Sequence, residues 1–201
     1  MTPHEHDHGD HSSAASTDAS CTRRHAIAAS VGLTVGLAGC LGGDGDAPAA
    51  VTLPEDATCD VCGMVISQHP GPTAEVFYAD QRPGGHDNPA RFDSTWEAFQ
   101  FDFEHEDWSR EAFYVTDYSV VDYEIRTDGD QQVISTHYGA ESFVDATTVT
   151  FVAGSSVVGA MGEDLIGFAD EGDAESFQAE HGGDIVTFDE VTPELLSTLG
   201  R

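Results

Sequence analysis

Two hydrophobic rhythms run along this chain and divide it into elements. Residues 74–79 (AEVFYA) are a continuous β-prone apolar run, followed by Arg82-Pro83-Gly84-Gly85-His86, a loop by composition. Trp96, Phe99 and Phe103 then fall at i, i+3 and i+7, one face of a helix. Ser94-Thr95-Trp96-Glu97 stands at its head as a capping box, the serine hydroxyl accepting from the Glu97 amide while the Glu97 carboxylate reaches back. Residues 113–115 and 120–125 read as strands, with Thr127-Asp128-Gly129-Asp130 as a turn, and residues 147–153 and 165–168 read as two more. Asp173 is expected to cap a helix that runs through Phe177 and ends at Gly182, with residues 185–188 as the next strand. Thr192-Pro193-Glu194 starts a last helix carrying Leu195, Leu196 and Leu199, with the proline at its first position.

Part of this pattern occurs twice. Phe92-Asp93, Glu97-Ala98-Phe99 and Phe113-Tyr114-Val115-Thr116-Asp117 return in outline as Phe168-Ala169, Ala174-Glu175-Ser176-Phe177 and Ile185-Val186-Thr187-Phe188-Asp189. A strand, a capped helix with an inward phenylalanine and a second strand predict a duplicated β-α-β unit in an α+β fold.

The N-terminal apolar run has another character. It begins at Ala26, carries no amphipathic period, follows Arg23-Arg24 and ends in Leu37-Ala38-Gly39-Cys40. At about 15 small and apolar residues it is too short to span a bilayer. Paired arginines, a short apolar stretch and a small-residue site ending in Cys are expected of a twin-arginine lipoprotein signal, with Cys40 lipidated at the mature N-terminus. The chain then divides into a leader and signal (1–39), a Gly/Ala/Pro-rich flexible tether (40–57), a first half (58–126) and a second half (127–201). The expected location is the extracytoplasmic face of the cell membrane, lipid-anchored at Cys40. His4, His6, His8 and His11 precede the signal and would be lost with it.

Charge narrows the field of partners. There are 37 Asp+Glu against 7 Lys+Arg, and all seven cations are arginine. Without residues 1–39 the chain keeps 33 acids and five arginines, a formal charge of −28. Phosphates would be repelled, which argues against nucleic acid. Trp96, Phe99, Phe103, Trp108, Phe113 and Tyr114 lie among the acids, so a core is available despite the charge. An acidic, lysine-free surface of this kind is expected of a protein that folds in molar salt, from a halophilic archaeon-like source.

Cys21 goes with the signal and Cys40 is taken by lipid, leaving Cys59 and Cys62 in Cys59-Asp60-Val61-Cys62-Gly63-Met64. A structural zinc site would need a second paired-ligand element, and none is present. A dithiol oxidoreductase would carry the pair at a helix start, whereas Val65-Ile66 is strand-like. A plain structural disulfide and a soft-metal site are the other two readings. Thiolate and thioether prefer Cu(I). Besides the initiator, the methionines are Met64, beside the thiols, and Met161, in Gly159-Ala160-Met161-Gly162. Methionines next to glycines pack weakly as core, which points to copper. Of the mature histidines, His86 is the one best placed to complete a site; its alternative is a solvated loop residue. Asp93, at the helix entrance, is expected to be a cap or structural residue.

Cys59-x-x-Cys62-Gly63-Met64-x-Ile66, Phe92-Asp93-Ser94 and Gly154-Ser155 through Gly159-Ala160-Met161-Gly162 to Ile166-Gly167-Phe168-Ala169 resemble the NosL family over residues 58–190. The resemblance implies an export-dependent lipoprotein with two related ββαβ halves that binds Cu(I), and no enzyme. It implies copper delivery to nitrous oxide reductase through docking on an ABC-type assembly complex. By the resemblance Cys62 and Met64 are ligands of the first motif and Met161 of the second, with Cys59 an additional thiol. Gly-Ala-Met stands here where Gly-Pro-Met is common. The two Gly-Met elements are expected to enter their halves at strand starts and meet across them. The competing expectation is a thiol–disulfide redox lipoprotein using Cys59 and Cys62.

Overall fold

The computed structural model describes residues 47–199. Cys40, the signal and the leader lie outside that range. Within it, β1 (Ala74–Tyr78), β2 (Ala90–Phe92), α1 (Thr95–Glu104) and β3 (Arg110–Thr116) come first. A hairpin of β4 (Ile125–Asp128) and β5 (Gln131–Ile134) follows, then β6 (Phe143–Asp145), β7 (Thr150–Ala153) and β8 (Val157–Val158). The chain closes with β9 (Leu165–Phe168), α2 (Glu171–His181), β10 (Asp184–Thr187) and α3 (Pro193–Thr198). It is an α+β fold.

The expected duplication is visible in the strand order. β1 lies between β2 and β3, antiparallel to both, and β7 lies between β9 and β10 in the same way. Each half is therefore ββαβ with its first strand central. Phe92 and Phe168 end the second strands at 0% and 1% exposure, and two residues later Ser94 and Asp170 cap the helices. Ala98 and Ala174, each four residues past its cap, are fully buried. At these positions only a methyl group lets the helix lie close on its sheet.

The larger of two core clusters spans both halves. The Phe99 ring lies 4.8 Å from Phe113 of the first half, and 5.6 Å and 5.2 Å from Phe151 and Phe188 of the second. The sheets also touch directly, where the Tyr118 amide donates to the Gly167 carbonyl at 2.9 Å. The expected boundary between Arg126 and Thr127 cuts through β4 and does not hold. The β4–β5 hairpin pairs with β8, and β6 extends the first sheet beyond β3.

Three further expectations change. Residues 120–125 are a strand only from Ile125; the Asp117 carboxylate accepts from the Ser119 amide and makes a turn, leaving Val120 65% exposed. The cap of α2 is Asp170, whose side chain accepts from Gly172 and Asp173, so the helix starts three residues earlier than Asp173 would place it. Of the expected tether, residues 48–57 are packed on the body. Leu53 and Ala57 are buried, the Leu53 amide donates to Tyr138, and the Tyr114 hydroxyl donates to the Pro48 carbonyl. Composition marks the segment as flexible, but its two apolar side chains have sockets in the core.

This N-terminal strap is clasped by a buried acid. The Val51 amide donates to Glu75 Oε2 at 3.1 Å, and Glu75 in β1 is 0% exposed. Burial pushes the Glu75 carboxyl from 4.5 up to about 8. The folded state thus holds this proton more tightly than the unfolded chain, and stability falls as pH rises from 4.5 towards about 8. Glu75→Gln keeps an acceptor for Val51 and removes the titration. Wild type is expected to lose on the order of 2–4 kcal/mol across this window through Glu75, and the variant not. Thermal melts of both proteins along the pH series measure it; parallel curves would show that Glu75 does not drive the decline.

Candidate metal centre

Cys59 to Met64 forms a tight loop closed at its base. Thr58 and Val65 form a bridge, the Cys59 amide donates to the Met64 carbonyl at 2.9 Å, and the Gly63 amide donates to the Cys59 carbonyl at 3.0 Å. Gly63 turns the chain at φ +74°, which a side chain would strain. Asp60 fastens the loop to β2: its amide donates to the Arg91 carbonyl and its carboxylate accepts from the Arg91 amide, both at 2.8 Å.

The loop brings both thiols onto the head of α1. Cys59 is 3% exposed and its Sγ–H donates to Glu97 Oε2 at 3.0 Å; the Cys62 thiol lies 3.5 Å and 3.6 Å from the two oxygens of Asp93. Asp93 is fully buried and Glu97 nearly so, at 2%. One donor atom from each of Cys59, Cys62, Asp93 and Glu97 falls within 4.8 Å of all the others. The capping box is thus half realised. Ser94 Oγ accepts from the Glu97 amide at 3.2 Å, but the Glu97 carboxylate serves the thiol rather than the helix end.

Burial, then the neighbouring Asp93 charge, raise the Cys59 thiol far above its ordinary range. Burial also raises Cys62, against the Met64 amide, which favours its thiolate. Burial raises Glu97 as well. Burial thus disfavours charge on all three groups, and a bound metal would have to compete with protons for the thiols.

Sequence reasoning missed Asp93 and Glu97 as donors. Their i, i+4 spacing across a helix start was the available signal, masked by their apparent service as caps. His86 is placed elsewhere. Its Nε2 lies 2.9 Å from Asp60 Oδ1 and its Nδ1 2.7 Å from the Asp87 carbonyl, so both ring nitrogens are engaged in holding the loop.

Met64 and Met161 are each half-buried. They are not counterparts in the duplication: Met64 precedes the first strand of its half, whereas Met161 precedes the second strand of its own. Met161 sits in a small hairpin closed by Gly159 and Gly162, whose amides and carbonyls pair at 2.8 Å and 3.4 Å. Asp164, three residues on, ties that hairpin to the head of α1. Its carboxylate accepts from Ser94 Oγ at 2.7 Å and from the Trp96 and Leu165 amides at 2.8 Å each. A β-carbon on Gly159 would stand 2.7 Å from the Gly71 carbonyl, so the approach admits only glycine. Asp93 beside Ser94 meets the Cys62 thiol, and Ser94 meets Asp164. The two Gly-Met elements are therefore fastened to the same helix end.

The NosL family profile matches residues 50–196. The chain belongs to the NosL family. It is 32% identical over 139 residues to the copper-binding lipoprotein NosL of Stutzerimonas stutzeri, a match covering 69% of this chain and 63% of that protein's length. It also resembles the crystal structure of the copper chaperone NosL from Shewanella denitrificans, at 28% identity and a TM-score of 0.56, over 72% of this chain and 96% of that one. Beside the half-exposed Cys62, this NosL protein holds the buried Cys59 thiol and two buried carboxylates.

Proposed function

We propose that this protein is a membrane-tethered, extracytoplasmic Cu(I) chaperone that carries copper for the assembly of nitrous oxide reductase, handing it on through an ABC-type assembly complex. The observation that carries this reading is the pair of thiols at the head of α1, to which both methionine elements are fastened. Soft sulfur donors suit Cu(I). A half-open thiol, Cys62, suits a carrier that must release its cargo by ligand exchange. Cys62, Met64 and Met161 would hold the ion, with Cys59 behind them. Lipid on Cys40 would keep the carrier at the outer membrane face, and the acidic, lysine-free composition fits a halophilic source.

An anaerobic Cu(I) titration against a chromogenic competitor tests it. Met64→Leu and Met161→Leu preserve volume and remove the thioether. Each is expected to weaken Cu(I) binding by about tenfold or more, about 1.4 kcal/mol, and to shrink the thermal shift that copper confers. Full affinity in both variants would remove the methionines from the site.

A second reading, a thiol–disulfide redox lipoprotein, is favoured by the two thiols being free and close together. It requires turnover of a model disulfide that survives in the Met64→Ala/Met161→Ala double variant. A carrier shows none.

A further inference from the structure

We propose that the cleft between α2 and the turn after β3 binds the quaternary ammonium group of an organic cation, carried by a free solute or by a choline lipid headgroup. The cleft holds about 330 Å3 and opens over the smaller of the two core clusters. That volume is at the small end for ligand pockets. Tyr118, Phe168 and Phe177, each buried, form its floor, and the half-buried Tyr123 ring forms one wall. The rings do not lie flat on one another. Tyr123 meets Tyr118 at 90° with centroids 5.4 Å apart, and meets Phe177 at 58° and 6.5 Å. Phe177 meets Phe168 at 46° and 5.2 Å. Rings set at steep angles present themselves from several directions, and the face of each attracts a cation within about 6 Å of its centroid.

Two carboxylates line the same cleft from α2, Asp173 and Glu180, about two turns apart. Burial, then the charges of these two acids, raise the Tyr123 phenol above its ordinary range, so both act on the one ring. Among the described residues Asp173 has no ion-pair partner, and Glu180 has the His181 ring nitrogen at 3.9 Å. The combination selects the ligand. Anions are repelled. A small hard ion needs donors that converge on one point; among the described residues they converge at the thiols, and Asp173, Glu180 and His181 do not. A large cation, its charge spread over methyl groups, fits carboxylates set apart around aromatic rings. Both banks of the cleft are fixed before a ligand arrives. Asp117 Oδ1 accepts from the Ser119 and Ala169 amides at 2.9 Å each, and Ser119 Oγ accepts from the Asp170 amide at 3.1 Å, which ties the turn to the head of α2. Beyond Tyr123, the Glu124 amide donates to Ser135 Oγ at 3.0 Å. A preformed cleft leaves little ordering cost to binding.

The site stands independently of the copper reading. Calorimetric titration of the full chain with choline tests it in about 1 M NaCl, where charges are screened beyond about 3 Å and general attraction to the acidic surface is removed. Choline should bind with a dissociation constant of about 1 mM or tighter. Its uncharged isostere, with a tert-butyl group in place of trimethylammonium, should bind at least about tenfold more weakly. Tyr123→Leu keeps apolar bulk without the ring and should weaken choline about tenfold. Tyr123→Phe keeps the ring and should stay within about twofold of wild type, while Glu180→Gln should lose about threefold. Cu(I) affinity should be unchanged in all three variants. Dihexanoylphosphatidylcholine, kept monomeric, separates the sources: affinity equal to choline's makes a lipid headgroup the ligand, and weaker affinity makes it a free solute. Choline binding weaker than about 10 mM, or an isostere that binds as tightly as choline, would overturn the proposal whatever the variants do. So would a folded Tyr123→Leu protein with wild-type affinity for choline.

Discussion

Cys62→Ser should lower Cu(I) affinity by at least about 100-fold, or about 2.7 kcal/mol, while leaving the metal-free protein nearly as stable as wild type. The two halves of that expectation come from the same placement. Cys62 is half-exposed at the bend of its loop, so replacing sulfur by oxygen removes little packing, and the hydroxyl can still donate to Asp93. Copper would lose its most accessible thiolate. Cys59→Ser should behave in the opposite sense. Cys59 is 3% exposed and packs in the core, so its replacement should cost about 1 kcal/mol of stability and reduce Cu(I) affinity less. Competitor titration and denaturant melts of the two variants separate them. Equal loss of affinity in both would mean that the buried thiol is a full copper ligand.

Asp164→Ala should be the most destabilising single change near the centre, by about 3–5 kcal/mol. It strips one hydroxyl and two amides of their acceptor in a region where Asp164 is 1% exposed. Each buried donor left unpaired costs about 1–3 kcal/mol, and relief of the acid's own burial offsets part of the sum. That burial pushes the carboxyl from 3.8 up to about 7. Asp164→Asn keeps one carbonyl oxygen for the two amides and should lose less than half as much. Because Asp164 holds the Met161 hairpin to α1, the alanine variant should also bind Cu(I) about tenfold more weakly. Chemical denaturation at constant slope, followed by Cu(I) titration of the folded variant, checks both parts. An Asp164→Ala protein as stable as wild type would mean that the hairpin is held by other contacts.

Elements whose signals are local were legible in the sequence. Residues 165–168 are a strand with the bounds expected, and Thr192-Pro193 starts the last helix with its threonine accepting from the Leu195 amide. The duplication was legible because Phe92 and Phe168 are each followed by a helix with an inward phenylalanine, Phe99 or Phe177, and then by a strand. What long-range pairing decides was not. β6 and β8 are three and two residues long and exist only because β3 and β5 offer them an edge. Val120 lies in a β-prone run, yet Asp117 bends the chain there and the Tyr118 ring goes inside in its place. At the centre, the thiols stood out by spacing. Asp93 and Glu97 did not, because a carboxylate beside a helix cap reads as a cap until the thiol it faces is known. His86 shows the converse: a histidine near a metal motif whose nitrogens serve the backbone that shapes it.

If Cys40 carries lipid, the strap from Pro48 to Ala57 would set how far the body of the protein can stray. Among the described residues its first pinned atom is the Pro48 carbonyl, eight residues after Cys40. Whatever their conformation, those eight steps reach at most about 30 Å, half of what a free tether to Thr58 would allow. With lipid on Cys40, the body would therefore work like a boat on a short mooring. In dilute salt, where charges act over about 10 Å and more, its acidic surface would be pushed off an anionic bilayer and the mooring drawn taut. At molar salt, where that range falls to about 3 Å, it could lie against the lipid, and a recipient would have to meet it there.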